Sequence, residues 1–148
     1  MDQARRSFLD ELLSLSTPSG FEADGQRRWL AYVEEYADET RVDAYGNAVA
    51  VYEGDPDAPS VAVAGHGDEI GLMVRAIDDD GFLKLSRIGG SDRTVTRGQR
   101  VTVHADDGPV SGVIGQVAIH LRDAGDEEYD EIAEQHVDIG VEEGEDAE

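Results

Sequence analysis

Apolar positions recur at helical spacing from the start of the chain. Phe8, Leu9, Leu12, Leu13 and Leu15 fit one face of an amphipathic helix running to about Ser16. Thr17-Pro18-Ser19-Gly20 breaks it, because proline and glycine do not continue a helix cheaply. A second helix is expected over Glu22 to Ala37, with Leu30, Val33 and Ala37 on one side and Trp29, Tyr32 and Tyr36 on a neighbouring stripe. From Thr40 the period changes to two. Arg41 to Ala44 and Ala48 to Tyr52, joined through Gly46-Asn47, read as a hairpin.

Beyond a loop rich in Pro, Gly and Asp, Val61-Ala62-Val63-Ala64 is wholly apolar, the pattern of a strand inside a sheet covered on both faces. Helices followed by such a strand predict the opening of an α/β layered domain. After Gly71 the pattern is all-β. Leu72 to Ile77, the turn Asp78 to Gly81, and Phe82 to Leu85 form one hairpin. Arg100 to Ala105, the turn Asp106-Asp107-Gly108, and Val110 to Ile114 form another, so a small barrel or sandwich is expected. The expected boundary lies between residues 71 and 72.

The 148 residues carry a formal net charge of −22, which argues against binding nucleic acid or an anionic membrane. No apolar run approaches the ~20 residues of a membrane span. Cysteine is absent, which removes disulfides, thiolate metal sites and thiol nucleophiles. Lys84 is the one lysine among 12 basic residues. Acid-rich, lysine-poor and cysteine-free, the chain fits a cytoplasmic protein adapted to high salt, a halophilic pattern, because concentrated salt screens clustered carboxylates. Asp123 to Glu148 hold 13 acidic side chains and no Lys or Arg, and this tail is expected to be solvated, mobile or cut from a larger context. Arg5-Arg6-Ser7-Phe8-Leu9 matches the core of a twin-arginine signal, but Asp10 and Glu11 interrupt the apolar segment that export requires.

The chemistry concentrates in Ala64-Gly65-His66-Gly67-Asp68-Glu69-Ile70-Gly71, at the end of the apolar strand, where open α/β sheets bind ligands. In extended backbone, positions two apart point to one side, so His66 and Asp68 can face a common site. A metal-binding imidazole usually donates its second N–H to a carboxylate, which Asp68 can accept. Gly65 and Gly67 leave room for close approach. On spacing alone the signal is weak, because His-x-Asp recurs by chance and a lone histidine is more often a satisfied structural residue than a metal ligand. His104 reads as an exposed strand position, His120 as a structural residue at a strand end that could also face the cleft, and His136 as solvated in the acidic tail.

Taken together these segments resemble the tetrahedral-aminopeptidase family of dinuclear zinc peptidases, which includes glutamyl aminopeptidases and members named cellulase M or endoglucanase. Leu15-Ser16-Thr17-Pro18-Ser19-Gly20-Phe21-Glu22 is similar to the loop between that family's first two helices. Val42-Asp43-Ala44-Tyr45-Gly46-Asn47 resembles its Asp-x-x-Gly-Asn hairpin. His66 to Val74 resembles its metal motif, and this is the most specific match. Ile88-Gly89-Gly90, Gly98 to Val101 and Gly112 to Gly115 resemble landmarks of its inserted β domain, and Val137-Asp138-Ile139-Gly140 resembles the strand near the end of that domain. Ser91 stands where the family usually has tryptophan, and Arg93 and Thr94 also depart from its pattern.

The resemblance implies the N-terminal part of a zinc-peptidase α/β sandwich over residues 1–71. It implies an inserted small β-barrel, serving oligomerisation and substrate access and truncated here, over residues 72–148. His66 resembles the first metal ligand and Asp68 the carboxylate behind it. The implied cofactors are two divalent metal ions, zinc or else cobalt, which activate water for amide hydrolysis that releases N-terminal residues from peptides. The implied partners are a peptide substrate and further copies of the chain. A bridging aspartate, a Glu-Glu pair, another acidic ligand and a last histidine are expected beyond residue 148, so the chain alone is expected to be inactive. Two other readings stand beside this one: a related zinc carboxypeptidase or deacylase, and a non-catalytic β module for assembly.

Overall fold

The computed structural model describes residues 1–122 and 129–147. The chain divides into two compact units, Met1–Glu69 and Ile70–Glu148.

In the first unit, helix α1 spans Gln3–Leu13 and helix α2 spans Ala23–Val33. Asp2 caps α1 by accepting the Arg5 N–H at 2.9 Å. Both helices stop short of their predicted ends. Past Leu13 the Ser14 hydroxyl turns back to the Asp10 carbonyl at 2.6 Å, which helps to close α1. Glu34 and Glu35 follow Val33, and negative charge opposes the dipole at a helix C-terminus. The helices meet where Phe8 stacks on Tyr32, with centroids 3.8 Å apart. Arg28 reinforces the contact by lying over the Phe8 ring and donating to Glu11 at 2.7 Å.

Strands β1 (Glu39–Val42) and β2 (Ala48–Val51) form the expected antiparallel hairpin. Asp43 closes its turn, accepting the N–H groups of Tyr45 and Asn47 and the Asn47 side-chain amide. Those bonds, the Asn47 amide first, hold the Asp43 carboxyl below its ordinary pKa.

The predicted buried strand at Val61–Ala64 does not form. The segment is irregular, and Val61 and Val63 are 86% and 97% exposed. A strand apolar on both faces needs neighbours for its backbone and cover for its faces, and the described residues supply neither. The first unit therefore has a two-stranded sheet and one isolated parallel bridge, Pro18 to Glu69.

The second unit is a five-stranded antiparallel sheet of β3 (Gly71–Ile77), β4 (Leu83–Ile88), β5 (Arg100–Ala105), β6 (Gly108–Ile114) and β7 (His136–Asp138). The spatial order is β3-β4-β7-β6-β5. A short helix α3 (Arg93–Thr96) lies between β4 and β5 in sequence. Alternation along β4 buries Leu83 and Leu85, which join Ile114, Ile132 and Val137 in the core.

The sheet is curled in a mixed α/β chain, and no ladder pairs β3 with β5 among the described residues. The acidic segment, against expectation, is not wholly solvated: Ile132, Gln135 and Val137 are buried, and β7 is the middle strand. Ile132 and Val137 lie in the core, while the described carboxylates of the segment are exposed. Residues 123–128 and 148 of that segment lie outside the described residues.

Candidate metal centre

The loop between α1 and α2 holds residues 66–69 in place. Thr17 donates its N–H to Glu69 Oε1 at 2.7 Å, and the Glu69 N–H returns to the Thr17 carbonyl at 2.9 Å. Thr17 is buried, its methyl seated over Gly25, where an added Cβ would come within 2.8 Å of it. Gly20 has φ +95°, a conformation that favours glycine, and its N–H donates to Glu22 Oε1 at 2.7 Å. Ser19 is thus presented to Asp68.

His66 and Asp68 lie on the same side, as their spacing predicts, although no strand carries them. His66 Nδ1 is 3.0 Å from Asp68 Oδ1 and 3.0 Å from the Asp68 carbonyl oxygen. Both neighbours are acceptors when the carboxyl is ionised. In the neutral ring the proton therefore belongs on Nδ1, and Nε2 keeps its lone pair. The other carboxylate oxygen, Oδ2, accepts the Ser19 hydroxyl at 2.5 Å. The Ser19 bond first of all holds the Asp68 carboxyl below its ordinary pKa; burial opposes it, and the Asp68 backbone N–H and His66 add to the lowering. The His66 side chain is 86% exposed, so Nε2 is open to a ligand.

This donor set fits one metal ligand, an imidazole presented through Nε2 with its tautomer fixed from behind. Asp68 has each oxygen engaged by a neighbour, which suits it to orient the imidazole. Among the described residues no group of three or more His, Asp or Glu is gathered closely enough to hold a metal ion. Gly65 has open space around its Cα, whereas a Cβ on Gly67 would lie 2.9 Å from the Gln26 amide nitrogen.

The family model for M42 glutamyl aminopeptidase matches residues 46–148. The chain belongs to the M42 glutamyl aminopeptidase family. This M42 chain is 37% identical over 136 residues to a lysyl aminopeptidase of Pyrococcus furiosus, covering 88% of the chain and 38% of that relative. The TET aminopeptidase of the marine sediment archaeon Thaumarchaeota archaeon SCGC AB-539-E09 superposes with TM-score 0.88 and 33% identity. That match covers 98% of this chain and 41% of the other. The TET1 peptidase of Pyrococcus horikoshii, which assembles into a tetrahedron or a large octahedral shell, superposes with TM-score 0.76 and 29% identity. It covers 96% of this chain and 42% of that one. The M42 chain thus spans about two fifths of the length of these relatives.

The remaining histidines fall in the second unit. His104 is exposed on β5, as expected, and His120 is exposed in a short 3-10 helix, Ile119–Leu121. His136 corrects its expectation: it is half-buried on β7, its ring set edge-on against Phe82 with centroids 4.8 Å apart. Nothing in the local sequence pattern marks Ser19 or Glu69 as part of the site.

Proposed function

We propose that this chain is the N-terminal portion of a metal-dependent aminopeptidase that removes N-terminal residues from peptides, with His66 as a metal ligand and Asp68 as its orienting carboxylate. Residues 1–71 belong to the catalytic α/β domain and residues 72–148 to a β domain inserted in it, used for assembly of like copies and for substrate access. A cytoplasmic setting suits the absence of cysteine. No helix among the described residues is long and apolar enough to cross a membrane.

The observation that carries this reading is the His66–Asp68 pair, with Nδ1 facing two oxygen acceptors at 3.0 Å and Nε2 outward. His66 would be one of the residues holding the divalent ions, zinc or else cobalt, which when bound would supply Lewis-acid activation of water and of the amide carbonyl. His66 contributes a neutral nitrogen donor. Asp68 stays ionised near neutral pH, which its hydrogen bonds favour, and keeps the ring proton on Nδ1. A catalytic zinc site takes about three protein ligands, so the 148 residues by themselves are proposed to be inactive.

The test assays aminoacyl-p-nitroanilide hydrolysis by this polypeptide and by the longest polypeptide translated in frame from the same gene. The longer protein is expected to turn over, to lose activity to chelator and regain it with zinc or cobalt, and to fall at least about a hundredfold on His66→Gln. Chelator-sensitive turnover by the 148 residues alone would place the active site elsewhere. A second reading, a non-catalytic assembly module, draws on the confinement of the buried apolar core to the second unit. It takes over if the longer protein binds no metal.

A further inference from the structure

We infer that Ser19 is a positioning residue for the His66 imidazole, acting through Asp68. The inference rests on the proposed reading of His66 as a metal ligand and extends it back to the loop between the two helices.

The relay has two links. The Ser19 hydroxyl donates to Asp68 Oδ2 at 2.5 Å, and Asp68 Oδ1 stands 3.0 Å from His66 Nδ1. One carboxylate oxygen faces each neighbour. A carboxylate gripped at one oxygen cannot turn its plane without breaking that bond, so Ser19 sets the direction in which Oδ1 presents its lone pairs. That direction matters because the site is open: Asp68 is about one third exposed and His66 is 86% exposed. Surrounding side chains do not pack the pair into one geometry, so hydrogen bonds must do so.

Ser19 is itself fixed from both sides. On one side lie the Thr17–Glu69 bonds and the parallel bridge from Pro18 to Glu69. On the other lies the turn in which the Phe21 N–H donates to the Pro18 carbonyl at 2.8 Å. The same clamp therefore holds the serine and the segment carrying His66, and the relay closes a ring of contacts between residues 17–19 and 66–69. Without the hydroxyl, Asp68 keeps its charge but loses the bond that sets its plane. The Asp68 carbonyl remains as a second acceptor for Nδ1, so the ring should be loosened rather than released.

The experiment uses the 148-residue protein with its histidine rings labelled with nitrogen-15, His66 being assigned with His66→Gln. Without metal, at a pH where the ring is neutral, the wild type should show His66 mainly as the Nδ1–H tautomer, with Nε2 bare. Ser19→Ala should move the tautomer ratio about threefold toward Nε2–H, the scale of one net hydrogen bond. Ser19→Thr, which keeps the hydroxyl, should restore the wild-type ratio. An unchanged ratio in a Ser19→Ala protein whose backbone amide spectrum is native overturns the inference. So does a change that Ser19→Thr shares, because packing and not the hydroxyl would then be responsible.

A second arm adds zinc alone to the longest polypeptide translated in frame from the same gene, its histidine rings likewise labelled, and follows the His66 Nε2 signal. The wild type should shift on binding, and Ser19→Ala should need about threefold more zinc. Zinc that leaves the wild-type Nε2 signal unmoved overturns the metal reading, and with it the purpose assigned to the relay. A zinc shift in the wild type with no Ser19 effect in either arm overturns the inference alone.

Discussion

The Thr96 hydroxyl donates to Gln135 Oε1 at 2.5 Å, joining α3 to the turn before β7 across 39 residues of sequence. Both side chains are buried. The Gln135 amide nitrogen also donates to the carbonyls of Asp130, at 3.0 Å, and Arg93, at 3.4 Å. Truncating Gln135 removes the acceptor facing the buried Thr96 hydroxyl and the donor to the Asp130 and Arg93 carbonyls. Gln135→Ala is expected to destabilise the second unit by about 2 kcal/mol, read as a lower urea midpoint at unchanged slope. A midpoint equal to the wild type would mean that water replaces the amide without loss.

Close approach sets a second expectation. Gly112 is buried on β6, and a Cβ there would overlap Val137 Cγ1 and lie 3.2 Å from both the Asp138 carbonyl oxygen and Ile139 Cγ2. Val137 is among the most deeply buried residues, and its branched side chain is stiff at χ1. Gly112→Ala should therefore cost about 1–3 kcal/mol through overpacking. Adding Val137→Ala should recover part of that cost in a double-mutant cycle. Strict additivity of the two changes would show that they do not share the space.

These two sites mark where sequence reading stops. The hairpins were legible because alternation and the Asp-rich turns are local signals; β3–β4 and β5–β6 form where the pattern puts them. The centre of the sheet was not legible in the same way. β7 is three residues long, and the carboxylates around it outweigh Val137 and Ile139 in any count of charge. Val61–Ala64 misled in the opposite direction, because an apolar run specifies a buried strand only where neighbours exist to bury it. At the candidate site, His66 and Asp68 could be paired from their spacing, but Ser19 reaches Asp68 across 49 residues, a distance that no local pattern encodes.

Acid should expose one specific ion pair. Lys84 Nζ lies 2.7 Å from Asp78 Oδ2, and the Phe82 N–H donates to Asp78 Oδ1 at 2.9 Å. The Lys84 bond first, then the Phe82 N–H, hold the Asp78 carboxyl below its ordinary value of 3.8. A carboxyl whose pKa is lower in the folded state binds fewer protons there than in the unfolded chain. Its contribution to stability is thus present above 3.8 and fades as pH falls through the lower folded value. Asp78→Asn should flatten that part of the stability profile in urea titrations run from neutral pH into the acid range. A mutant profile parallel to the wild type throughout would remove Asp78 from the account.

Salt should act in the opposite sense to acid and over the whole surface. The net charge of −22 comes from 34 acidic residues against 12 basic ones, so repulsion among carboxylates outweighs attraction wherever screening is weak. The ion pairs Arg5–Asp2, Arg6–Asp10 and Arg27–Asp24 of the first unit are more than half exposed at both partners and contribute little that salt could remove. The Debye length falls from about 10 Å at 0.1 M salt to about 3 Å at 1 M. That change weakens repulsion between carboxylates several ångströms apart more than it weakens contacts near 3 Å. The thermal midpoint in molar potassium chloride should therefore exceed that in dilute buffer. The same rise should appear in sodium chloride, since screening depends on ionic strength and not on the cation. A midpoint that stays level or falls would mean that the acidic surface is not under net repulsive strain, and the salt-adapted reading of this composition would have to be given up.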